Sequence, residues 1–154
     1  MRKIVEMNTE QADSYINWKY DYPYEFYNIP EYAIEETLEE IFEDDSTHYF
    51  AVLDDEGKLF GVYSYIFKLD KVEIGLGIRP EDTGKGLGEE FVTDCINFVR
   101  NEISFKGDIC LRVVDWNKRA INLYKKLGFV AFDIEHTKSF YNSVTFMCMK
   151  LINK

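Results

Sequence analysis

Apolar positions along the chain follow two periods. The alternation expected of strands and the three-to-four spacing expected of helices take turns from one end to the other. Lys3–Met7 predicts a short first strand, and Thr9 an N-cap before a helix running to about Trp18. Pro30 opens a second helix, about Glu31–Glu43, with Ile34, Leu38, Ile41 and Phe42 apolar and Glu35, Glu36, Glu39 and Glu40 on a solvated face. His48–Leu53 and Lys58–Phe67 read as strands joined by the turn Asp54-Asp55-Glu56-Gly57, a hairpin. A second turn at Asp70-Lys71 leads into Val72–Ile78, so three strands meander antiparallel.

The second half changes connection. Arg79-Pro80-Glu81-Asp82 reads as a turn, and a glycine-rich loop follows. Leu87, Phe91, Val92, Cys95, Ile96 and Val99 then recur at helical spacing, in a helix ending near Asn101. Lys106-Gly107-Asp108 turns into a strand, Ile109–Val114. A strand–helix–strand crossover makes it parallel to Val72–Ile78. Lys118–Leu127 predicts a helix with Ala120, Ile121, Tyr124 and Leu127 on one face, ended by Gly128 as a C-cap glycine. Phe129–His136 and Val144–Leu151 close the chain as a hairpin, with a turn near Asn142-Ser143. The predicted class is α/β: a mixed, mostly antiparallel central sheet flanked by helices.

Composition bounds what such a sheet can do. At 154 residues, with no linker, repeat or low-complexity stretch, the chain reads as a single domain, residues 1–154, long enough to bury a core without staples. A net charge of −10 speaks against nucleic acid as a partner, because that binding rests on neutralising phosphates, and favours a cationic substrate. Cys95, Cys110 and Cys148 are odd in number and sit in apolar settings, which reads as buried free thiols. His48 and His136 stand apart from one another and from any cysteine pair, so no metal is expected. The start of the chain turns charged too early for a signal peptide, and no apolar run approaches the ~20 residues that cross a bilayer. The expected compartment is the cytoplasm, with no membrane partner.

The chemistry concentrates after the strand Val72–Ile78. Strand, glycine loop and helix follow in that order, so unsatisfied N–H groups and the positive end of a helix dipole point at one place. That place suits a phosphate. A nucleotide P-loop would need a hydroxyl residue after Lys85, where Gly86 stands. A dinucleotide fold would need G-x-G-x-x-G and an acid ending the next strand. Gly84, Gly86 and Gly88 are spaced otherwise, and Asp108 begins that strand. Two readings survive: a diphosphate loop of the acyl-coenzyme A kind, and a tight turn whose glycines serve the backbone alone.

A second stretch has neither period. From Trp18 to Pro30 the chain is dense in aromatics and broken by two prolines. It reads either as aromatic packing beneath a loop or as the wall of an acceptor pocket. In the second case Tyr22, Tyr24 and Tyr27 supply cation-attracting ring faces, and Glu25, with Asp21, supplies charge.

Two segments together carry a resemblance. Ile78-Arg79-Pro80-Glu81-Asp82-Thr83-Gly84-Lys85-Gly86-Leu87-Gly88 matches a [QR]-x-x-G-x-[GA] loop, save that Thr83 departs from the usual Gln or Arg. Asn117-Lys118-Arg119-Ala120-Ile121-Asn122-Leu123-Tyr124-Lys125-Lys126-Leu127-Gly128-Phe129 matches N-x-x-A-x-x-x-Y-x-x-x-G-F. In that order they resemble the GNAT superfamily of acetyl-CoA-dependent N-acetyltransferases, and the order of elements fits nearly the whole chain.

The resemblance implies a fold in which a parallel strand pair splays to form the acetyl-CoA cleft. It implies that backbone groups of Leu76, Gly77 and Ile78 pair with the pantetheine arm. It implies further that Thr83, Gly84, Lys85, Gly86, Leu87, Gly88 and Glu89 hold the diphosphate, and that Asn117 contacts the cofactor arm. Tyr124 then stands near the thioester sulfur as general acid. A phenol suits that role, since direct attack by an amine expels a thiolate that needs a proton.

The base that deprotonates the ammonium stays open between Glu73, Glu25 and Asp21. Strict alternation places Glu73 with Gly75 and Gly77 on one face of their strand. The acceptor is a small-molecule or peptide amine, a small cationic amine being favoured, and the family admits a homodimer. Another acyl group, or a non-catalytic acyl-CoA sensor, are the alternative readings.

Overall fold

A computed structural model of the protein describes residues 2–139 and 142–152. Among these residues seven strands are ordered β1-β2-β3-β4-β5-β7-β6. They are β1 (Lys3–Glu6), β2 (Thr47–Leu53), β3 (Leu59–Phe67), β4 (Lys71–Ile78), β5 (Asp108–Val114), β6 (Phe129–Ser139) and β7 (Asn142–Leu151). Four α-helices accompany them among the described residues: α1 (Thr9–Ile16), α2 (Ile34–Phe42), α3 (Gly88–Asn97) and α4 (Lys118–Lys126). The sheet is mixed and mostly antiparallel, with β4 and β5 parallel as the crossover requires. The chain divides into two compact units, Met1–Ile66 with Leu76–Gly86 and Phe67–Gly75 with Leu87–Lys154, and β4 passes from the second into the first.

In the first unit β1 and β3 flank β2, each antiparallel to it. Their core is Met7, Ala12, Ile41, Ala51, Leu59 and Val62, with Tyr15, Trp18 and Tyr49 packed against it. The α1 cap sits one residue earlier than expected. Asn8 is the N-cap: its side-chain oxygen accepts from the Gln11 N–H at 2.8 Å, and Gln11 accepts from the Asn8 N–H at 2.9 Å. Such a box satisfies two orphan donors at once, which a lone Thr9 would not. The helix stops at Ile16, short of Trp18, and the helix expected from Glu31 begins instead as a 3₁₀ turn, Glu31–Ala33, before α2. Between β2 and β3 the Asp54 carboxylate accepts from the N–H groups of Glu56 and Lys58, and Gly57 takes φ +80° to close the turn.

In the second unit β7 lies between β5 and β6, antiparallel to both. Val99, Ile109, Leu111, Phe129 and Met149 are buried there. The helix expected to end near Asn101 is α3 followed by a π-helical turn, Phe98–Glu102. The closing strands are longer than expected. Asn142 and Ser143, expected as the turn, pair with Ser139 and Lys138, and the two residues between the strands lie outside those described. The β4–β5 ladder holds three pairs, Lys71 with Asp108, Val72 with Ile109 and Glu73 with Cys110. Ile74 and Gly75, still in this unit, already have no ladder partner on β5. Among the described residues, no helix is long and apolar enough to cross a membrane.

Candidate active site

The candidate anion loop begins where β4 ends. Pro80–Asp82 forms a single 3₁₀ turn, within which the Asp82 N–H donates to the Arg79 carbonyl at 3.0 Å. The Thr83 hydroxyl donates to the Pro80 carbonyl at 2.8 Å, so threonine at this position ties off the turn. Gly84 and Gly86 then take φ +73° and +76°, the left-handed region that other residues enter only with strain. A Cβ built on Gly86 would meet nothing within 4 Å, so its backbone lies open. Among the described residues no side chain caps the start of α3. The open backbone at the two glycines and the exposed Lys85 are features that suit a diphosphate. Gly88 has a different reason to be glycine, since a Cβ there would come within 2.8 Å of Leu123 on α4.

The second unit carries Asn117 and Tyr124 at either end of α4. Asn117 is buried and caps that helix, accepting from the Ala120 N–H at 3.2 Å. Tyr124 is half-buried, its ring edge-on to the buried Phe129 at 5.8 Å between centroids. The sheet packing that holds Phe129 therefore also fixes where the phenol stands. Glu89, in the first turn of α3, pairs with Lys126 of α4 at 2.9 Å.

Glu73, the candidate base, is not a lone carboxylate. It takes Arg112 Nε at 3.3 Å, and the same guanidinium reaches Glu135 at 2.8 Å and lies over the Phe146 ring. Burial works against the Arg112 charge, but its two carboxylate partners raise its pKa above the ordinary value. The three cysteines are free and buried, as the sequence suggested. Burial pushes the Cys110 and Cys148 thiols up, which leaves them inert at neutral pH.

The aromatic stretch divides in two. Tyr22 is 86 % exposed, Tyr27 and Glu25 are exposed, and Tyr24 is half-buried. Two residues missing from the predicted set do the packing. The Tyr20 hydroxyl donates to the Ile78 carbonyl at 2.7 Å, while Asn28 accepts from the Tyr20 N–H at 2.6 Å and donates to its carbonyl at 3.2 Å. A Cβ on Gly77 would lie 3.8 Å from the Trp18 ring and 3.9 Å from the Tyr20 oxygen. Burial, reinforced by Tyr15, Glu81 and Tyr27, raises the Tyr20 pKa well above the ordinary phenol value, so it remains a donor. The signal for Tyr20 was its position in an aromatic run. Nothing in the local pattern separated it from Tyr22.

The chain belongs to the acetyltransferase (GNAT) family, whose family model matches residues 12–129. It is thus an N-acetyltransferase with acetyl-CoA as its donor.

Among solved structures, spermidine N-acetyltransferase from Vibrio cholerae in complex with CoA and spermine is similar at TM-score 0.78 and 21 % identity, covering 97 % of this chain and 94 % of that one. A K23-Q34 chimera of spermidine N-acetyltransferase from Vibrio cholerae and hSSAT gives TM-score 0.78 at 19 % identity, with coverages of 98 % and 95 %. The spermidine/spermine N-acetyltransferase of the same organism, in complex with manganese ions, gives 0.74 at 20 %, with coverages of 97 % and 91 %. These likenesses are of fold. A comparison with curated proteins finds no match.

Proposed function

We propose that the whole chain acts as one N-acetyltransferase domain that moves the acetyl group of acetyl-CoA to a primary amine by direct attack in a ternary complex. A small cationic amine is the favoured acceptor. The observation that carries the reading is the pair Gly84 and Gly86 at positive φ, directly before an uncapped helix. Leu76, Gly77 and Ile78 offer backbone groups to the pantetheine arm, and Thr83 to Glu89 hold the diphosphate. Asn117 contacts the arm while capping α4. The backbone N–H of Ile78 suits the oxyanion that develops at the thioester carbonyl.

Tyr124 serves as the acid that protonates the departing thiolate. Glu73 serves as the base that takes the ammonium proton, directly or through water, with Arg112 holding its carboxylate in place. For the acceptor, the net charge of −10 draws cations from solution. Tyr22, Tyr24, Glu25 and Tyr27 offer ring faces and a carboxylate to one. The similar Vibrio cholerae enzyme holds spermine, which agrees with this class of acceptor.

The deciding experiment is an amine screen with acetyl-CoA, read by mass spectrometry for a gain of one acetyl group. Acetylated small polycations with release of free coenzyme A are the expected result. Coenzyme A binding without turnover on any amine, peptide amines included, would leave a sensor rather than an enzyme.

A further inference from the structure

The diphosphate loop is tied to the β2–β3 turn by a line of charges that the sequence motif does not contain. Arg79, the last residue before the loop's 3₁₀ turn, sends its two arms to two carboxylates. Its Nη1 reaches Asp54 at 2.9 Å, and its Nε reaches Asp82. The same Nη1 also lies 3.4 Å from the Leu59 carbonyl, and the Arg79 N–H donates to Phe60 at 2.9 Å, so main chain and side chain are both anchored on β3. Asp82 in turn takes the Lys85 ammonium at 3.1 Å. Lys85 stands between the two glycines whose φ angles define the loop. Asp54 is itself fixed by the turn N–H groups of Glu56 and Lys58. The chain of contacts runs from a rigid hairpin turn to the residue beside the bare amides. Arg79 is four-fifths shielded from solvent, where such pairs are less screened than at the open surface.

We propose that Arg79 is a positioning residue for acetyl-CoA. Resting on the diphosphate reading of this loop, it holds Asp82 and, through Asp82, Lys85, so that the amides of the loop are set before the ligand arrives. A loop ordered in advance spends less binding energy on ordering when the ligand docks.

Charge gives the same residue a second consequence. Arg79 and Lys85 balance Asp54 and Asp82 one for one. Without the guanidinium, Asp82 is left to neutralise Lys85, and the four positions keep one negative charge beside the anion site.

The test is calorimetry with coenzyme A on the whole protein. Arg79→Gln should weaken binding about tenfold, the order expected when pre-ordering and one charge are lost together. Arg79→Lys should recover part of the affinity, since an ammonium reaches one carboxylate and not both. Asp54→Asn separates position from charge: it removes one negative charge near the loop yet reduces the ion pair with Arg79 to a neutral hydrogen bond, so positioning predicts several-fold weaker binding and charge alone predicts tighter binding. It also stands in should Arg79→Gln fail to fold. Asp54→Asn binding as tightly as the wild type, or tighter, overturns the proposal, as does unchanged affinity in Arg79→Gln. If the wild-type protein itself does not bind coenzyme A, the functional reading falls before the clamp is tested.

Discussion

The anion loop and the aromatic stretch both meet the end of β4, and they are held there by opposite chemistry. Residues 79–88 are fixed by ion pairs and by glycines at positive φ. Residues 18–30 are fixed by ring packing and by a tyrosine hydroxyl on the Ile78 carbonyl. The loop's conformation is specified by residue type at each step, so few substitutions survive there. The aromatic stretch is specified by which of several similar rings is buried, so most of its exposed positions are replaceable. Precision thus sits where a diphosphate is expected, and latitude where an acceptor is.

The largest effect expected from this contrast is at Gly86. Gly86→Asp places a side chain at φ +76° and a negative charge at the anion site. Coenzyme A binding by calorimetry should vanish. Retained binding would make the loop an ordinary turn and remove the difference between the regions. The chemical step has its own probe. Tyr124→Phe should lower kcat by roughly 10²–10⁴-fold while changing KM for acetyl-CoA little, since the acid acts in the transition state. A raised KM for acetyl-CoA with kcat unchanged would assign Tyr124 to binding.

Acid and alkali should loosen the two regions in opposite order. The Asp54 carboxyl is held below its ordinary range by backbone N–H groups and Arg79, and that of Asp82 by Arg79 and Lys85. A carboxyl lowered by folding stabilises the fold above its unfolded pKa, and that contribution is lost as pH falls through the folded value. The loop clamp should therefore persist at neutral pH and fail only below the usual carboxylate range. Within the stretch Tyr20 is raised well above the ordinary phenol value, first by burial, and Tyr15, on α1 and edge-on to Trp18, is pushed up to about 12 by burial and by Glu40. A phenol raised by folding stabilises the fold below its unfolded value of about 10, and the contribution is lost as pH rises through the folded one. The aromatic stretch should open first in alkali. Hydrogen exchange at Asp82 and Tyr20 across both limbs reads the order, and simultaneous opening at either end would dissolve the distinction.

The same contrast explains how much of the molecule was legible in the sequence. Glycine at positive φ, proline before a turn and asparagine at a helix cap act through local backbone rules. The loop and the two ends of α4 could accordingly be placed from residue type and spacing. Tyr20 and Tyr22 obey no such rule: two residues apart in a run without period, one is bonded to β4 and the other is 86 % exposed. Arg79 and Asp54 are 25 positions apart, and only the folded hairpin brings them together. Asn8 and Thr9 are both good caps by residue type. The Gln11 side chain decides between them, three residues after Asn8. What stayed hidden was the choice among chemically similar residues made by tertiary contact.

Tyrosines 20 and 22 give the smallest and sharpest comparison. Tyr20→Phe removes one hydroxyl and leaves the Ile78 carbonyl without that donor, a cost of about 1 kcal/mol in unfolding free energy. Tyr22→Ala removes a ring that is almost wholly in solvent, and surface changes of that kind stay within about 0.5 kcal/mol. Stability alone would thus rank Tyr20 first. Turnover should rank them differently if the exposed rings receive the acceptor: Tyr22→Ala should raise KM for the amine and leave KM for acetyl-CoA alone. Denaturant titration and steady-state kinetics on the two variants measure both rankings. An amine KM unmoved by Tyr22→Ala, with Tyr24→Ala and Tyr27→Ala equally silent, would take the acceptor away from this stretch and leave it as packing over β4.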